Sequence, residues 1–131
     1  MRLLLDTHAF LWFVLGDPRL SAQARRAIED RANQRYLSLA SAWEMAIKVS
    51  LGKLTVLHAS KPFADDLIDK LSTNDVVLLQ IDLPIVSHLS NLPFHQRDPF
   101  DRLLVAQCLT GNLTLVSIDT AFDDYGVSRI W

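Results

Sequence analysis

The sequence predicts an α/β domain in which helices cover both faces of a mostly parallel sheet of about five strands. Short aliphatic and β-branched runs alternate along the chain with segments of helical periodicity. Such alternation favours right-handed crossover connections, which place neighbouring strands parallel to each other. The length of 131 residues is that of one ordinary domain with a single core, so we expect residues 1–131 to form one domain.

The strands and helices can be located from periodicity and from capping residues. The predicted strands are Arg2–Leu5, Tyr36–Leu39, Val76–Ile81, Leu113–Ser117 and Val127–Trp131. The predicted helices are a segment after Ser21 with an apolar stripe of Leu20, Ala24, Ala27 and Ile28, followed by Ala42–Ser50, Lys61–Ser72, Leu83–Leu89 and Pro99–Thr110. Gly52 and Gly111 are expected to end the second and the last of these helices.

Composition limits the classes of function. The formal net charge of −2 lacks the basic excess of many nucleic-acid-binding proteins, although divalent ions in an acidic pocket can still attract RNA. The single cysteine, Cys108, lies in an apolar run and is expected to be a small buried side chain. The apolar run near the N-terminus is too short for a signal peptide, and we find no membrane span, so we expect a cytoplasmic protein.

Acidic residues follow or precede the predicted strands at corresponding places. The buried run Leu3–Leu5 ends directly at Asp6, and Asp119 follows the fourth predicted strand. Glu44 begins the helix after the second strand, and Asp101 begins the helix that leads into the fourth. The carboxyl ends of parallel strands and the helix N-termini that follow them share one edge, where ligands bind. We therefore expect these four carboxylates to converge.

Helix capping is the alternative explanation for each acid. Asp6 and Asp119 could each cap the short helix that follows. Ser41 and Glu44 fit a capping box, and Lys48 could pair with Glu44 across one helical turn. Ser, Thr and Asn cap about as well as Asp, yet all four positions carry acids. Capping alone therefore explains the set less well than it explains each member.

The segment DPFDRLL, residues 98–104, also fits a helix start. Asp98 could be the N-cap, Pro99 the first helical residue and Asp101 a first-turn acid, with Arg102 pairing with Asp98 four residues earlier. A cluster of like charges at one edge calls for a cation. Mg²⁺ and Mn²⁺ prefer hard oxygen ligands, and two such ions can stabilise both the attacking and the leaving oxygen of a phosphate displacement.

These residues resemble the PIN-domain ribonucleases, and in particular the VapC-type toxins of type II toxin–antitoxin modules. The similarity runs through Leu4-Leu5-Asp6-Thr7, Ser41 to Glu44 with Lys48, Asp98 to Leu104, Leu115 to Asp119, Phe122, Tyr125 and Trp131. The segment DPFDRLL is specific to one branch of this family. The resemblance implies a PIN-like three-layer α/β/α fold over the whole chain.

The resemblance also implies a chemistry and a set of residues for it. The catalytic and metal-binding acids would be Asp6, Glu44, Asp101 and Asp119, with one or two Mg²⁺ (or Mn²⁺) ions. RNA phosphodiesters would be hydrolysed by a metal-activated water without a covalent enzyme intermediate. Thr7 and Ser117 match hydroxyl positions that could orient the carboxylates, although such hydroxyls also bond their own backbone. Asp98 fits an N-cap better than a shared family acid.

Basic and aromatic residues suggest further contacts. Lys48, Lys53, Arg97 and Arg102 could bind RNA phosphates, or could be solvated or locally paired. The histidines His8, His58, His88 and His95 lack the spacing of zinc ligands, and His8 is nearest to the acids. Relatives with the DPFDRLL segment often have a histidine two residues before it, where this chain has Gln96 beside His95.

Partners follow from the resemblance as well. It implies a homodimer and a small VapB-like antitoxin whose C-terminal segment fills the groove and sends a basic side chain towards the acids. The apolar segment Phe10–Leu15 is expected to pack in the core, or with Trp43 to dock a partner. Two other functions stay open. One is a catalytically silent PIN-like module for RNA or protein binding; the other is a metal-dependent phosphatase, disfavoured because Thr7 and His8 follow Asp6 without a second acid.

Overall fold

Parallel strands form the central sheet, as the alternation of strands and helices predicts. We describe residues 1–54 and 61–131 of a computed structural model of the chain. The strands are β1 Arg2–Leu5, β2 Gln34–Ser38, β3 Val76–Leu79, β4 Thr114–Val116 and β5 Arg129–Ile130. Their order in the sheet is β3-β2-β1-β4-β5, and every neighbouring pair in the described ranges is parallel.

Helices cover both faces of this sheet. They are α1 Thr7–Leu15, α2 Ala22–Glu29, α3 Leu39–Ser50, α4 Phe63–Thr73, α5 Leu83–Leu89 and α6 Pro99–Gly111, with a 3₁₀ helix at Thr120–Tyr125. Successive residues of β1 belong to two cores, because side chains alternate between the faces of a strand. Leu3 and Leu5 pack with α1, α2 and α4, whereas Leu4 packs with α6 and the 3₁₀ helix. The result is the three-layer α/β/α arrangement.

The predicted helix boundaries are confirmed at some ends and wrong at others. Gly52 has a φ of +68° and follows the C-cap of α3, which is the position predicted for it. Gly111 is instead the last residue of α6, and Asn112 takes the left-handed conformation with a φ of +51°. The helix expected to begin at Lys61 begins at Phe63. His58 lies outside the described residues.

The start of α3 corrects the predicted capping box. Ser38 is the N-cap, with its hydroxyl accepting a hydrogen bond from the Ala40 N–H at 3.0 Å, so the helix starts three residues earlier than predicted. Ser41 is inside the helix, and its buried hydroxyl has no hydrogen-bond partner in the described structure. Glu44 therefore lies in the second turn and is not a capping residue.

The apolar segment after β1 is mostly internal. Phe10 and Leu11 are buried in α1, as the core prediction requires, whereas Leu15 at its end is exposed. Cys108 is buried in α6, which confirms its predicted burial. Across residues 1–54 and 61–131, we find no helix with both the length and the apolarity needed to cross a membrane.

Candidate active site

A cavity of about 370 Å³ lies at the edge of the sheet formed by the carboxyl ends of the strands. Its lining includes all the acids that the sequence predicts to converge: Asp6, Glu44, Asp101 and Asp119. Thr7, His8, Lys48, Asp98 and Phe100 also line it. Four carboxylates from distant parts of the chain thus meet in one place, as the topology of a parallel sheet requires.

Asp6 both caps a helix and belongs to the acidic cavity. It follows β1 as the N-cap of α1, and its Oδ1 accepts a hydrogen bond from the Ala9 N–H at 2.7 Å. Burial raises the pKa of Asp6, and hydrogen bonds from Ser117 and the Ala9 N–H, together with the nearby His8, offset part of that rise. The capping and active-site interpretations therefore apply to the same side chain.

Asp119 has the same double role at the end of β4. Its Oδ1 accepts a hydrogen bond from the Ala121 N–H at 2.9 Å, which caps the 3₁₀ helix. Its own N–H donates to the hydroxyl of Ser117 at 3.1 Å. Ser117 is fully buried and also hydrogen-bonds to Asp6. One hydroxyl thus connects two acids that arrive on neighbouring strands.

Asp98 and Asp101 begin α6 as the sequence predicts. The Oδ1 of Asp98 accepts hydrogen bonds from the N–H groups of Phe100 and Asp101 at 2.9 and 3.1 Å, so Asp98 is the N-cap and Pro99 follows it in the first turn. Asp101 lies in the first turn of the helix. Burial, and after it repulsion from Asp98, Glu44, Asp119 and Asp6, raise its pKa to about 7.

Glu44 and Lys48 lie one turn apart on α3, and both line the cavity. In the described part of the chain they do not form the ion pair that their spacing suggests. Among the described lining residues, Lys48 is the one lysine or arginine. Its ammonium group can therefore interact with a negatively charged ligand in the cavity.

Arg102 differs from its prediction. It is buried, its Nη1 donates to the Pro93 carbonyl at 2.7 Å, and its guanidinium lies 3.9 Å from the ring centre of Phe94. The predicted ion pair with Asp98 is therefore wrong, because other acceptors hold the side chain inside the protein. Arg97 is exposed and Lys53 lies beyond the end of α3, and neither lines the cavity.

Sequence patterns did not predict the cluster of hydrogen bonds beside this arginine. The Tyr125 hydroxyl accepts hydrogen bonds from the backbone N–H groups of His95 and Gln96, both at 3.1 Å, and from Arg102 at 3.2 Å. This cluster fixes the segment that leads into Asp98. His95 and Gln96 contribute to this cluster through their backbone N–H groups.

The donor set fits a hard divalent cation. Carboxylate oxygens are the ligands that Mg²⁺ and Mn²⁺ prefer, and repulsion from the neighbouring acids adds to burial in raising the pKa of Asp101. Outside the six residues that are not described, no three acidic, histidine or cysteine side chains are already spaced around one point as ligands. The fit therefore rests on donor chemistry and charge.

Comparison with known families identifies the fold. The family model of the PIN domain matches residues 3–127. The chain belongs to the PIN-domain family. A comparison with curated protein sequences gave no significant match.

Solved structures resemble this PIN domain over almost its whole length. VapBC2 from Rickettsia felis, bound to a DNA fragment from the promoter, matches with a TM-score of 0.74 and 16% identity, covering 99% of this chain and 98% of that one. VapBC-1 from nontypeable Haemophilus influenzae matches with a TM-score of 0.65 and 14% identity, covering 99% and 97%. FitAcB from Neisseria gonorrhoeae matches with a TM-score of 0.62 and 19% identity, covering 98% and 96%. At these identities the likeness establishes a shared fold.

Proposed function

We propose that this PIN domain is a metal-dependent endoribonuclease that hydrolyses RNA phosphodiesters, and that it is the toxin of a VapBC-type toxin–antitoxin module. The observation that carries the proposal is the convergence of four carboxylates in one cavity, with the pKa of Asp101 raised to about 7. Membership of the PIN family supports nuclease chemistry at these acids. In this function residues 1–131 act as one PIN domain in the cytoplasm.

We assign the acids different roles in binding the cation, according to their positions in the cavity. Asp6, Asp101 and Asp119 would hold one or two Mg²⁺ or Mn²⁺ ions, with Glu44 completing the set. A bound cation would lower the pKa of a water molecule and stabilise negative charge that develops on the phosphate. Asp101 must lose its proton when the cation binds, so its raised pKa makes binding tighter as the pH rises towards 8.

Neighbouring side chains position these acids and the substrate. The Ser117 hydroxyl contacts both Asp6 and the Asp119 backbone, and Thr7 is buried beside Asp6 at the start of α1. Asp98 fixes the first turn of the helix that carries Asp101. Lys48 would contact a substrate phosphate, because it brings positive charge to the same cavity.

Two protein partners belong to the proposal. The structural relatives include VapBC and FitAB complexes, which supports a VapB-like antitoxin as a partner. We propose that this antitoxin would place a basic side chain among the acids. A second copy of the chain would complete a homodimer. Exposed apolar side chains at Leu39, Trp43 and Ile47 follow one face of α3, which is the kind of surface that binds protein.

The test is cleavage of total cellular RNA by purified protein free of antitoxin. We expect cleavage with Mg²⁺ or Mn²⁺, none with EDTA, and none with Asp101→Asn. Asp82→Asn is the matched control, since Asp82 caps α5 through the Ile85 N–H at 3.2 Å and lies outside the cavity. It should cleave like the wild type.

Absence of RNA cleavage by the wild-type protein would favour one of the two alternative functions. A folded, metal-loaded protein that cuts no RNA but binds it would be a silent PIN-like module. Metal-dependent hydrolysis of a small phosphomonoester, without RNA cleavage, would indicate a phosphatase.

A further inference from the structure

Arg129 on β5 holds the loop between β4 and the 3₁₀ helix by two anchors. Its Nη1 donates to the Ser117 carbonyl at 2.9 Å. Its Nε and Nη2 donate to the two carboxylate oxygens of Asp123 at 2.8 and 3.0 Å. Asp119 lies between these two anchor residues in the chain. The guanidinium therefore closes a short loop around an acid of the cavity.

Strand pairing reinforces the first anchor. The Ser117 N–H donates to the carbonyl of Ile130 at 3.2 Å, so β5 holds both backbone polar groups of Ser117. The Ser117 side chain then bonds to Asp6 and to the Asp119 N–H. A shift of Ser117 would displace two acids of the cavity together.

We propose that Arg129 is a positioning residue, which holds Ser117 and Asp119 in the arrangement that binds the divalent cation. This inference rests on the proposed metal-dependent function. Arg129 does not line the cavity, so it acts through the loop and not through contact with substrate. Substituting a residue that orients a metal ligand typically weakens metal affinity by about 10-fold to 100-fold.

Because Arg129 is positively charged, the direction in which its substitution changes Mn²⁺ affinity distinguishes two roles for this residue. Arg129 interacts electrostatically with Asp119, and a positive charge near the site opposes the binding of a cation. If charge were its only influence, Arg129→Gln would bind Mn²⁺ more tightly than the wild type. If Arg129 positions the ligands, the same substitution weakens binding.

The chain contains a matched control for the loss of an arginine–aspartate pair. Arg19 contacts Asp17 with Nε–Oδ1 and Nη2–Oδ2 distances of 3.1 and 2.7 Å. Neither residue lines the acidic cavity. Arg19→Gln removes a similar pair and the same charge without touching the β4 loop.

The first measurement is Mn²⁺ titration by calorimetry on purified, metal-free protein. We expect the Kd of folded Arg129→Gln to rise about tenfold, and that of Arg19→Gln to stay at the wild-type value. Equal or tighter Mn²⁺ binding by folded Arg129→Gln overturns the proposal. If Arg129→Gln does not fold, Arg129→Lys replaces it, because lysine keeps the charge but cannot reach both anchors; an unchanged Kd would then overturn the proposal.

The second measurement is amide hydrogen exchange of a peptide covering 117–123, without metal. We expect faster exchange in Arg129→Gln than in the wild type, and no change in Arg19→Gln. This result does not depend on the cation. Failure of the wild type to bind Mn²⁺ would therefore contradict the metal site, whereas unchanged exchange in Arg129→Gln would contradict the positioning role alone.

Discussion

Charged residues are paired at one edge of the sheet and are clustered with like charges at the other edge. At the edge where the strands begin, the buried Arg35 guanidinium pairs with Asp75 at 2.9 Å and donates to the Ile28 carbonyl at 3.0 Å. At the edge where the strands end, burial and then repulsion from neighbouring carboxylates raise the pKa of Asp101 to about 7. One edge pairs its buried charge within the protein, whereas the other brings like charges together in one cavity.

This difference separates stability from function. A buried charge with good partners holds elements together, whereas uncompensated like charges cost stability and persist where binding requires them. A cation or substrate that binds the protein can therefore compensate charge only at the second edge, where the strands end. Substitutions at the two edges should therefore change different measured quantities.

The largest effect is expected from Asp6→Asn. It removes a carboxylate of the cavity while the amide can still cap α1, so RNA cleavage should fall about a hundredfold to a thousandfold with the fold intact. Initial cleavage rates at saturating Mg²⁺, with circular dichroism as the folding check, measure this. If folded Asp6→Asn cleaved RNA at the wild-type rate, Asp6 would not be a catalytic residue.

Arg35→Gln tests the opposite edge. It removes the donor to the Ile28 carbonyl and the ion pair with Asp75, so the free energy of unfolding should fall by about 2 kcal/mol. Urea denaturation measures this loss, and Mn²⁺ binding by the folded protein should stay unchanged. Weaker Mn²⁺ binding would mean that the two edges are coupled.

The metal-free protein should become less stable as pH rises. The pKa of Asp101 is about 7 in the folded state and near its ordinary value of 3.8 in the unfolded chain, so the folded state binds more protons between these values. The free energy of unfolding therefore falls from about pH 4 to about pH 7. Because Asp101 is only partly buried, Asp101→Asn should gain about 1 kcal/mol at pH 8.

Thermal unfolding in EDTA between pH 5 and pH 8 checks this dependence. Asp101→Asn should flatten it, and Asp82→Asn should keep the wild-type slope. A wild-type protein that gains stability over this range would contradict the raised pKa of Asp101.

The smallest effect is expected from Asp98→Asn. Asparagine still caps α6, so stability should change by less than about 0.5 kcal/mol. Loss of the charge removes the largest repulsion acting on Asp101, so the pKa of Asp101 should fall and Mn²⁺ should bind at a pH lower by a few tenths of a unit. Mn²⁺ titrations at several pH values measure the shift; an unchanged midpoint would show that Asp98 does not act on Asp101.

The convergence of the acids could be predicted from sequence because topology alone determines it. Asp6 and Asp119 follow parallel strands, and Asp98 with Pro99 marks the start of a helix. Local patterns also gave Gly52 as the residue beyond α3, since few residues other than glycine adopt a positive φ.

Contacts between distant segments could not be predicted in this way. Ser41 fits a capping box by spacing, yet Ser38 caps the helix because β2 ends there. Arg102 has a suitable helical partner in Asp98, yet the Pro93 carbonyl and Tyr125 provide better acceptors from outside the helix. Arg129 carries no local signal at all, because its importance depends on β5 pairing with β4.

The central place of β1 in the sheet has a consequence for synthesis on the ribosome. β1 is made before the other strands of this sheet, yet it pairs with β2 on one side and with β4 on the other, and β4 in turn pairs with β5. A nascent chain that has only reached α6 already contains Asp6, Glu44 and Asp101 but lacks Asp119 and its supporting strand. The acidic cavity therefore forms only after β4 and Asp119 have been made, so a shorter nascent chain carries three of the four acids without their common arrangement.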